Sequence, residues 1–103
     1  MGLFSFLDSG ANTIKEALLH DAVIVDVRPP HRYDQGKIPG SLNIPIEQIA
    51  KNAGYLKRLN KPIVFCGDGS ESSSAKRILQ QYGVKQSYNG GSWQRVLRLK
   101  NSL

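Results

Sequence analysis

The sequence predicts an α/β layered domain. Short apolar runs rich in β-branched residues alternate with segments of helical periodicity, which is the pattern of sheets covered by helices. The chain has 103 residues, so we expect one compact domain over residues 1–103. A content of 40% hydrophobic and 21% charged residues is typical of a folded soluble domain, and a single cysteine excludes an intramolecular disulfide.

The first half of the chain contains one predicted helix and two predicted strands. Residues 13–20 have helical periodicity, and Thr13 opens them with the Thr-x-x-Glu spacing of a capping box. Residues 22–27 (AVIVDV) are short, apolar and β-branched, as a buried parallel strand is, and two prolines follow them. Residues 31–40 are polar and rich in turn formers, so they predict an irregular connection to a second short strand at residues 41–44.

The middle of the chain predicts helix, strand and helix. Residues 46–59 have a helical period that Gly54 weakens, so they form either one helix or two short ones. Residues 62–65 (PIVF) predict a third strand, because the glycines in the next segment, CGDGSES, do not favour its continuation. The helical period resumes at residues 73–82.

The last part predicts a strand and a helix. Gly83 is a suitable C-terminal cap for the preceding helix. Residues 84–88 predict a fourth strand, residues 89–91 (NGG) a turn, and residues 93–99 a final helix.

Charge and hydropathy restrict the partners. The chain has 14 Lys and Arg against 8 Asp and Glu, a net charge of +6. This excess favours anionic partners, but the basic residues are scattered, so a solvated basic face is a simpler interpretation than nucleic-acid binding. No apolar run approaches the about 20 residues that span a bilayer, and residues 1–10 lack the regions of a signal peptide. We therefore expect a cytoplasmic protein with neither a nucleic-acid nor a membrane partner.

Residues 63–79 are the most informative segment, because they predict a strand, a glycine-rich loop and a helix in succession. Cys66 would lie at the carboxyl end of the strand, where open parallel sheets bind ligands. Gly67 and Gly69 allow backbone N–H groups to turn inward at the start of the helix and hold negative charge. A thiolate at this place would have a pKa below its ordinary value. The alternative is that Cys66 is only a small buried apolar side chain.

Four segments, in order along the chain, resemble those of single-domain rhodaneses, which are sulfurtransferases that carry sulfur on a cysteine persulfide. The segments are Val25-Asp26-Val27-Arg28, residues 33–43 (YDQGKIPGSLN), residues 66–72 (CGDGSES), and Gly90-Gly91 with Trp93. The resemblance extends from about residue 13 to residue 96. It implies a central, mostly parallel sheet flanked by helices on both faces.

The resemblance also implies roles for individual residues. Cys66 would be the catalytic nucleophile, taking sulfur from thiosulfate, a polysulfide or a protein persulfide and passing it to a thiol or cyanide-like acceptor. A protein sulfur-relay partner is compatible with this chemistry. The implied substrate-binding residues are Gly67, Asp68, Gly69, Ser70, Glu71, Ser72 and Arg28. Asp26 would be structural near the site, and for Arg28 the alternative is an equally structural role.

The active loop departs from the family in its charges. Glu71 stands where the family commonly has Arg, and Asp68 adds a second carboxylate. If both face the pocket, they repel an anionic donor and raise the pKa of Cys66, so we expect weak use of thiosulfate. The alternative for Glu71 is that an acid at a helix start complements the helix dipole. Lys37 stands where the family usually has His, which removes one acid–base group.

The same residues exclude other chemistries. No Arg or Lys follows Cys66 until Lys76, so the loop lacks the bidentate donor of the related phosphatases. His20 and His31 have no cysteine or carboxylate at ligand spacing, and we predict neither a metal nor a cofactor. A monomeric sulfurtransferase, a rhodanese-like binding module and a sulfur or redox sensor remain as functions.

Overall fold

The computed structural model describes residues 10–103; residues 1–9, which form most of the segment considered for a signal peptide, lie outside the described residues. The helices are α1 (Ala11–Leu19), α2 (Pro30–Gln35), α3 (Ile49–Leu59), α4 (Ser70–Gln81) and α5 (Trp93–Asn101). The strands are β1 (Val23–Asp26), β2 (Leu42–Asn43), β3 (Ile63–Gly67) and β4 (Ser87–Ser92). Within residues 10–103, every helix is too short or too polar to cross a bilayer.

The strands of residues 10–103 form one parallel sheet in the order β2-β1-β3-β4. All residues of β3 are buried, because this strand has a neighbour on each side and helices above and below. Asp26 in β1 is paired with Cys66 in β3. The carboxyl ends of the two central strands therefore lie side by side, and the predicted parallel α/β architecture is confirmed.

Helices cover both faces of the sheet, as predicted. Ile63 and Phe65 of β3 pack in a cluster with residues of α3 and α4, whereas Val64 and Cys66 point to the opposite face, toward α1 and α5. This alternation is the period of two that a strand imposes on its side chains. Each large apolar side chain that becomes fully buried, such as Phe65, contributes about 1.5–3 kcal/mol to stability.

Three helix beginnings differ from the sequence prediction. One is that of α4, which begins at Ser70 instead of at residue 73. The prediction of a capping box at Thr13 was wrong. The helix α1 begins at Ala11, and its N-cap residue, Gly10, makes no side-chain hydrogen bond to the first turn. The helix α2 was not predicted, because the two prolines were interpreted only as strand breakers. Pro30 is its first residue, a position where the fixed φ of proline suits a helix and its missing N–H costs nothing.

Two strands run further than predicted, through glycines that were interpreted as breakers. β3 continues through Cys66 and Gly67. β4 begins at Ser87, later than the predicted residue 84, and includes the segment predicted as a turn. A Cβ on Gly90 would lie 2.5 Å from Val96 Cγ2 and 2.7 Å from the Phe65 carbonyl oxygen. Glycine is required at this position because α5 and β3 approach the backbone of β4 closely.

The segment 46–59 divides at a different residue from the one expected. A 3₁₀ turn at Ile46–Gln48 precedes α3, and α3 then runs without interruption through Gly54. The division therefore lies at the start of the segment, after Pro45, and the helical glycine is tolerated in the interior of α3.

Candidate active site

The candidate active site lies at the carboxyl end of the sheet, where β3 ends and α4 begins. Cys66 is followed by Gly67 and by a short loop to Ser70, the first residue of α4. Gly69 has a φ of +136°, a value that side chains strongly disfavour, so the loop needs glycine there. The N–H groups of the first turn of α4 have no acceptor inside the helix. The strand–loop–helix arrangement predicted around Cys66 is therefore present.

The Cys66 thiol is closed off from solvent. The residue is 0% exposed and packs with Ile14, Ile38 and Val96. The pKa of Cys66 is raised to about 12, mainly by burial and also by the Asp26 carboxylate, while the Arg28 guanidinium acts in the opposite direction. The prediction of a lowered pKa was therefore wrong for this structure, because loss of hydration opposes the thiolate more strongly than nearby positive groups favour it.

Asp26 and Arg28 form a buried ion pair beside Cys66. Arg28 Nε lies 3.0 and 3.1 Å from the two carboxylate oxygens of Asp26, and Arg28 Nη2 lies 2.7 Å from Oδ2. The Arg28 backbone N–H donates to the same carboxylate at 3.0 Å. Asp26 is 0% and Arg28 3% exposed, so each charge depends on the other for compensation.

The other contacts of Arg28 hold the segment after β1. Its Nη1 donates to the Arg32 carbonyl at 3.2 Å and its Nη2 to the Gly36 carbonyl at 2.7 Å. The guanidinium also lies over the Trp93 ring, 4.8 Å from the ring centre. These contacts are those of a residue that stabilises the fold, which is the alternative role considered for Arg28. Its assignment as a substrate-binding residue stays a prediction.

The two acids of the loop point to different partners. Asp68 forms an ion pair with Arg32, with 2.8 Å between Nη1 and Oδ2. Glu71 folds back, and its Oε1 accepts a hydrogen bond from the Asp68 backbone N–H at 3.1 Å. Glu71 also lies in the first turn of α4, as the helix-dipole alternative expects. The carboxylate that raises the pKa of Cys66 is Asp26, not the loop acids considered in the sequence analysis.

The end of the loop is attached to β4 through Ser72. Ser72 is 0% exposed, and its hydroxyl lies 2.9 Å from the Gly69 carbonyl oxygen and also within hydrogen-bond distance of Asn89 Oδ1. Asn89 Oδ1 accepts a second hydrogen bond, from the Gly91 N–H at 3.0 Å. The Ser72 hydroxyl therefore makes its hydrogen bonds within the loop and to β4 in this structure.

Asn89 and Arg32 are site residues that the sequence analysis missed. Asn89 was interpreted as a turn former, and its place beside two glycines was the only available signal. No local pattern distinguishes Arg32 from the other basic residues. Gly67, by contrast, has a clear packing reason: a Cβ there would lie 3.2 Å from both Glu71 Oε1 and Val27 Cγ2.

Three cavities bordered by described residues lie away from this loop. A cavity of about 450 Å³ is bordered by residues such as Leu18, Val23 and Lys100, and by none of residues 66–72. The chemistry of Cys66 and its neighbours, rather than the size of a cavity, identifies the candidate site. No group of three or more His, Cys, Asp or Glu residues that could hold a metal ion occurs within residues 10–103.

Residues 11–97 match the family model of the rhodanese-like domain. The chain belongs to the rhodanese-like domain family, which confirms the resemblance seen in the sequence. The fold agrees with this family: a crystal structure of a rhodanese-related protein from Thermoplasma volcanium is similar with a TM-score of 0.69 and 27% identity. That similarity covers 86% of this chain and 88% of the other.

Curated relatives are named for sulfur transfer. The thiosulfate sulfurtransferase PspE of Escherichia coli (strain K12) is 33% identical over 69 residues, which cover 65% of this chain and 66% of PspE. The putative sulfur carrier protein YrkF of Bacillus subtilis (strain 168) is 32% identical over 66 residues, covering 64% of this chain and 36% of YrkF. The chain thus spans between about a third and two thirds of the length of these relatives.

Proposed function

We propose that the protein is a sulfurtransferase that carries sulfane sulfur as a persulfide on Cys66 and passes it to a thiophilic acceptor. The observation that best supports this is the position of Cys66 at the end of a central strand, directly before a glycine loop and a helix start. The N–H groups of such a loop and helix start suit an anionic sulfur. The sulfur-transferring relatives support the same function.

The proposed reaction has two steps. The Cys66 sulfur attacks the outer sulfur of the donor, the S–S bond of the donor breaks, and sulfite leaves when the donor is thiosulfate. A thiol or cyanide then attacks the outer sulfur of the Cys66 persulfide and releases Cys66. A covalent intermediate divides one difficult transfer into two easier ones. Thiosulfate, a polysulfide and a protein persulfide are all candidate donors, and we expect thiosulfate to be a weak one.

The alternative is a rhodanese-like binding or sulfur- and redox-sensing module with little catalysis. One observation favours it: Cys66 is 0% exposed, and burial raises its pKa to about 12. At pH 7 such a thiol is ionised only about once in 10⁵ molecules, and the thiolate is the nucleophile. Sulfur transfer therefore requires a rearrangement that exposes Cys66 to the donor.

Intact-protein mass spectrometry separates the two functions. Wild type and Cys66→Ser are incubated with thiosulfate and, separately, with polysulfide. We expect wild type alone to gain one sulfur atom and cyanide to remove it. Loading by thiosulfate should be weak, because the loop carboxylates repel this dianion.

The contrary result is equally clear. If neither donor adds a sulfur atom to wild type, the protein is not a persulfide carrier under these conditions and the binding module becomes the leading function. Partner capture that is unchanged by Cys66→Ser would then support that alternative.

A further inference from the structure

The strand β4 contains a bulge directly opposite Cys66. Phe65 of β3 is paired with Asn89 of β4, and the next pair is Gly67 with Ser92. Between these pairs, Cys66 alone faces two residues of β4, and both of them are glycines. Two residues opposite one define a β-bulge, a feature that is rare in parallel sheets and over-represented next to active sites.

The side chain of Asn89 fixes this bulge. Its Oδ1 accepts a hydrogen bond from the Gly91 N–H at 3.0 Å, and Gly91 has a φ of +82°, a value that favours glycine. Because an N–H group donates to it, this atom of Asn89 is the carboxamide oxygen and not the nitrogen. The Gly90 carbonyl oxygen, also in the bulge, accepts a hydrogen bond from Arg95 Nη1 at 2.7 Å.

The same oxygen of Asn89 holds the end of the active loop. The Ser72 hydroxyl lies 2.9 Å from the Gly69 carbonyl oxygen and closer still to Asn89 Oδ1. Ser72 is 0% exposed and lies in the first turn of α4. Asn89 therefore connects the bulge opposite Cys66 with the helix start whose N–H groups suit an anionic sulfur.

We propose that Asn89 is a positioning residue, whose carboxamide oxygen sets the place of the loop N–H groups relative to the Cys66 sulfur. The inference rests on the proposed sulfur transfer and adds to it a residue from outside residues 66–72. Asn89 acts through Ser72 and Gly91 rather than on the sulfur itself. A misplacement of about 1 Å costs up to about 100-fold in rate, so loss of this oxygen should slow the transfer more than it weakens donor binding.

The test compares Asn89→Ala, which removes the acceptor oxygen, with Asn89→Asp, which keeps one at the same place. Mass spectrometry follows the loading of Cys66 by sodium tetrasulfide over a range of concentrations. An ionic strength of about 1 M, where the Debye length is about 3 Å, screens the charge that aspartate adds.

The loading step is balanced. The Cys66 thiol and HS₄⁻ give the Cys66 hydropersulfide and HS₃⁻. The terminal S–S bond of the donor breaks, its electron pair leaves with HS₃⁻, and a new S–S bond forms at Cys66, so no oxidant or reductant is needed.

We expect Asn89→Ala to lower the maximal loading rate about tenfold or more, while the half-saturating donor concentration stays within about twofold of wild type. Asn89→Asp should recover most of the rate. Asn101→Ala is the matched control and should load like wild type. Asn101 is exposed at the end of α5, where Lys100 and Leu103 border Val23 at the opposite end of the sheet from the loop.

The contrary outcomes are distinct. A wild-type rate in Asn89→Ala, a rate in Asn89→Asp as low as in Asn89→Ala, or a change only in the half-saturating concentration would overturn the positioning role, although sulfur transfer stands. If neither tetrasulfide nor thiosulfate loads wild type, the proposed function fails and a role in positioning for transfer fails with it.

Amide hydrogen exchange, measured by NMR, gives a readout that does not depend on the reaction. In Asn89→Ala the amides of Gly91 and of residues 67–72 should exchange faster than in wild type, and Asn89→Asp should restore slow exchange. Unchanged exchange at residues 67–72 in Asn89→Ala would contradict the connection between Asn89 and the loop.

Discussion

Cys66 is the residue at which local chemistry and packing oppose each other. Its loop and the helix start favour a negative sulfur, whereas complete burial and the paired Asp26 oppose one. The effect of the loop and helix start can be predicted from the sequence, because the glycine-rich pattern is visible there. The opposing effect of burial and of Asp26 depends on which side chains cover the thiol and on the register of β1 against β3. A local sequence pattern specifies neither of these.

The reactivity of Cys66 with iodoacetamide should therefore continue to rise at alkaline pH. Because its pKa is raised to about 12, the thiolate fraction increases about tenfold between pH 9 and pH 10, whereas that of a free thiol increases less than about twofold. Alkylation rates measured by mass spectrometry, with circular dichroism confirming the fold at each pH, test this. A rate that levels off near pH 9 would show that Cys66 ionises like an exposed thiol.

The same raised pKa has a consequence for stability. Protonated Cys66 favours the folded state, and this contribution is complete below the pKa of the unfolded thiol, about 9. It is lost as the pH rises toward the folded value of about 12. Alkaline conditions thus weaken the fold and expose the thiol together.

At the scale of helices and strands, the sequence predicted most of the fold because the alternation of apolar runs is strong. Its failures concern proline and glycine, whose local meaning is ambiguous. Pro30 was interpreted as a strand breaker but is the first residue of a helix. Gly90 lies inside a strand because neighbouring elements leave no room for a side chain. Both facts depend on tertiary neighbours, so periodicity within a segment does not reveal them.

Gly90→Ala should destabilise the protein by about 1–3 kcal/mol, as overpacking of a tight interior does. The added Cβ would meet Val96 and the Phe65 carbonyl oxygen at 2.5 and 2.7 Å. Urea denaturation measures the change in the free energy of unfolding.

Gly54→Ala is the control, because the same substitution in the interior of α3 meets only Arg58 Nη1, at 3.4 Å. It should stabilise the protein by about 0.5–1 kcal/mol through helix propensity. Equal effects at the two positions would mean that close approach is not the reason for Gly90.

At the scale of the whole molecule, the Asp26–Arg28 pair joins parts of the chain that are far apart in sequence. Arg28 contacts the carbonyl groups of Arg32 and Gly36 as well as the Trp93 ring. The first, second and last of the segments that resemble rhodaneses therefore meet at this pair. The sequence indicated these segments separately, and the structure supplies the reason why they occur together.

Arg28→Met should destabilise the protein by about 3–5 kcal/mol, because it leaves the Asp26 carboxylate buried without a counter-charge. Unfolding in urea measures the loss. The double variant Asp26→Asn, Arg28→Met removes the unpaired charge and should recover part of the stability. A single variant as stable as wild type, or a double variant no more stable than the single one, would show that the pair is not structural.

The strand–loop–helix arrangement of the candidate site could be predicted from the sequence, but the directions of its side chains could not. Residues 66–72 were identified from one glycine-rich segment, yet the partners of Asp68 and Glu71 were not. Both acids are free to rotate in the unfolded chain, and the choice between Arg32 and a backbone N–H is made only when α2 and α4 are in place. Side-chain direction in a loop is a tertiary property.

The position of Trp93 has an experimental consequence. The chain contains one tryptophan, and its indole ring lies between the Arg28 guanidinium and Gly36, close to the buried ion pair beside Cys66. Indole fluorescence depends on the charge and hydration around the ring. Light emitted from this single ring can therefore report rearrangements next to the Cys66 sulfur in real time, without an attached dye.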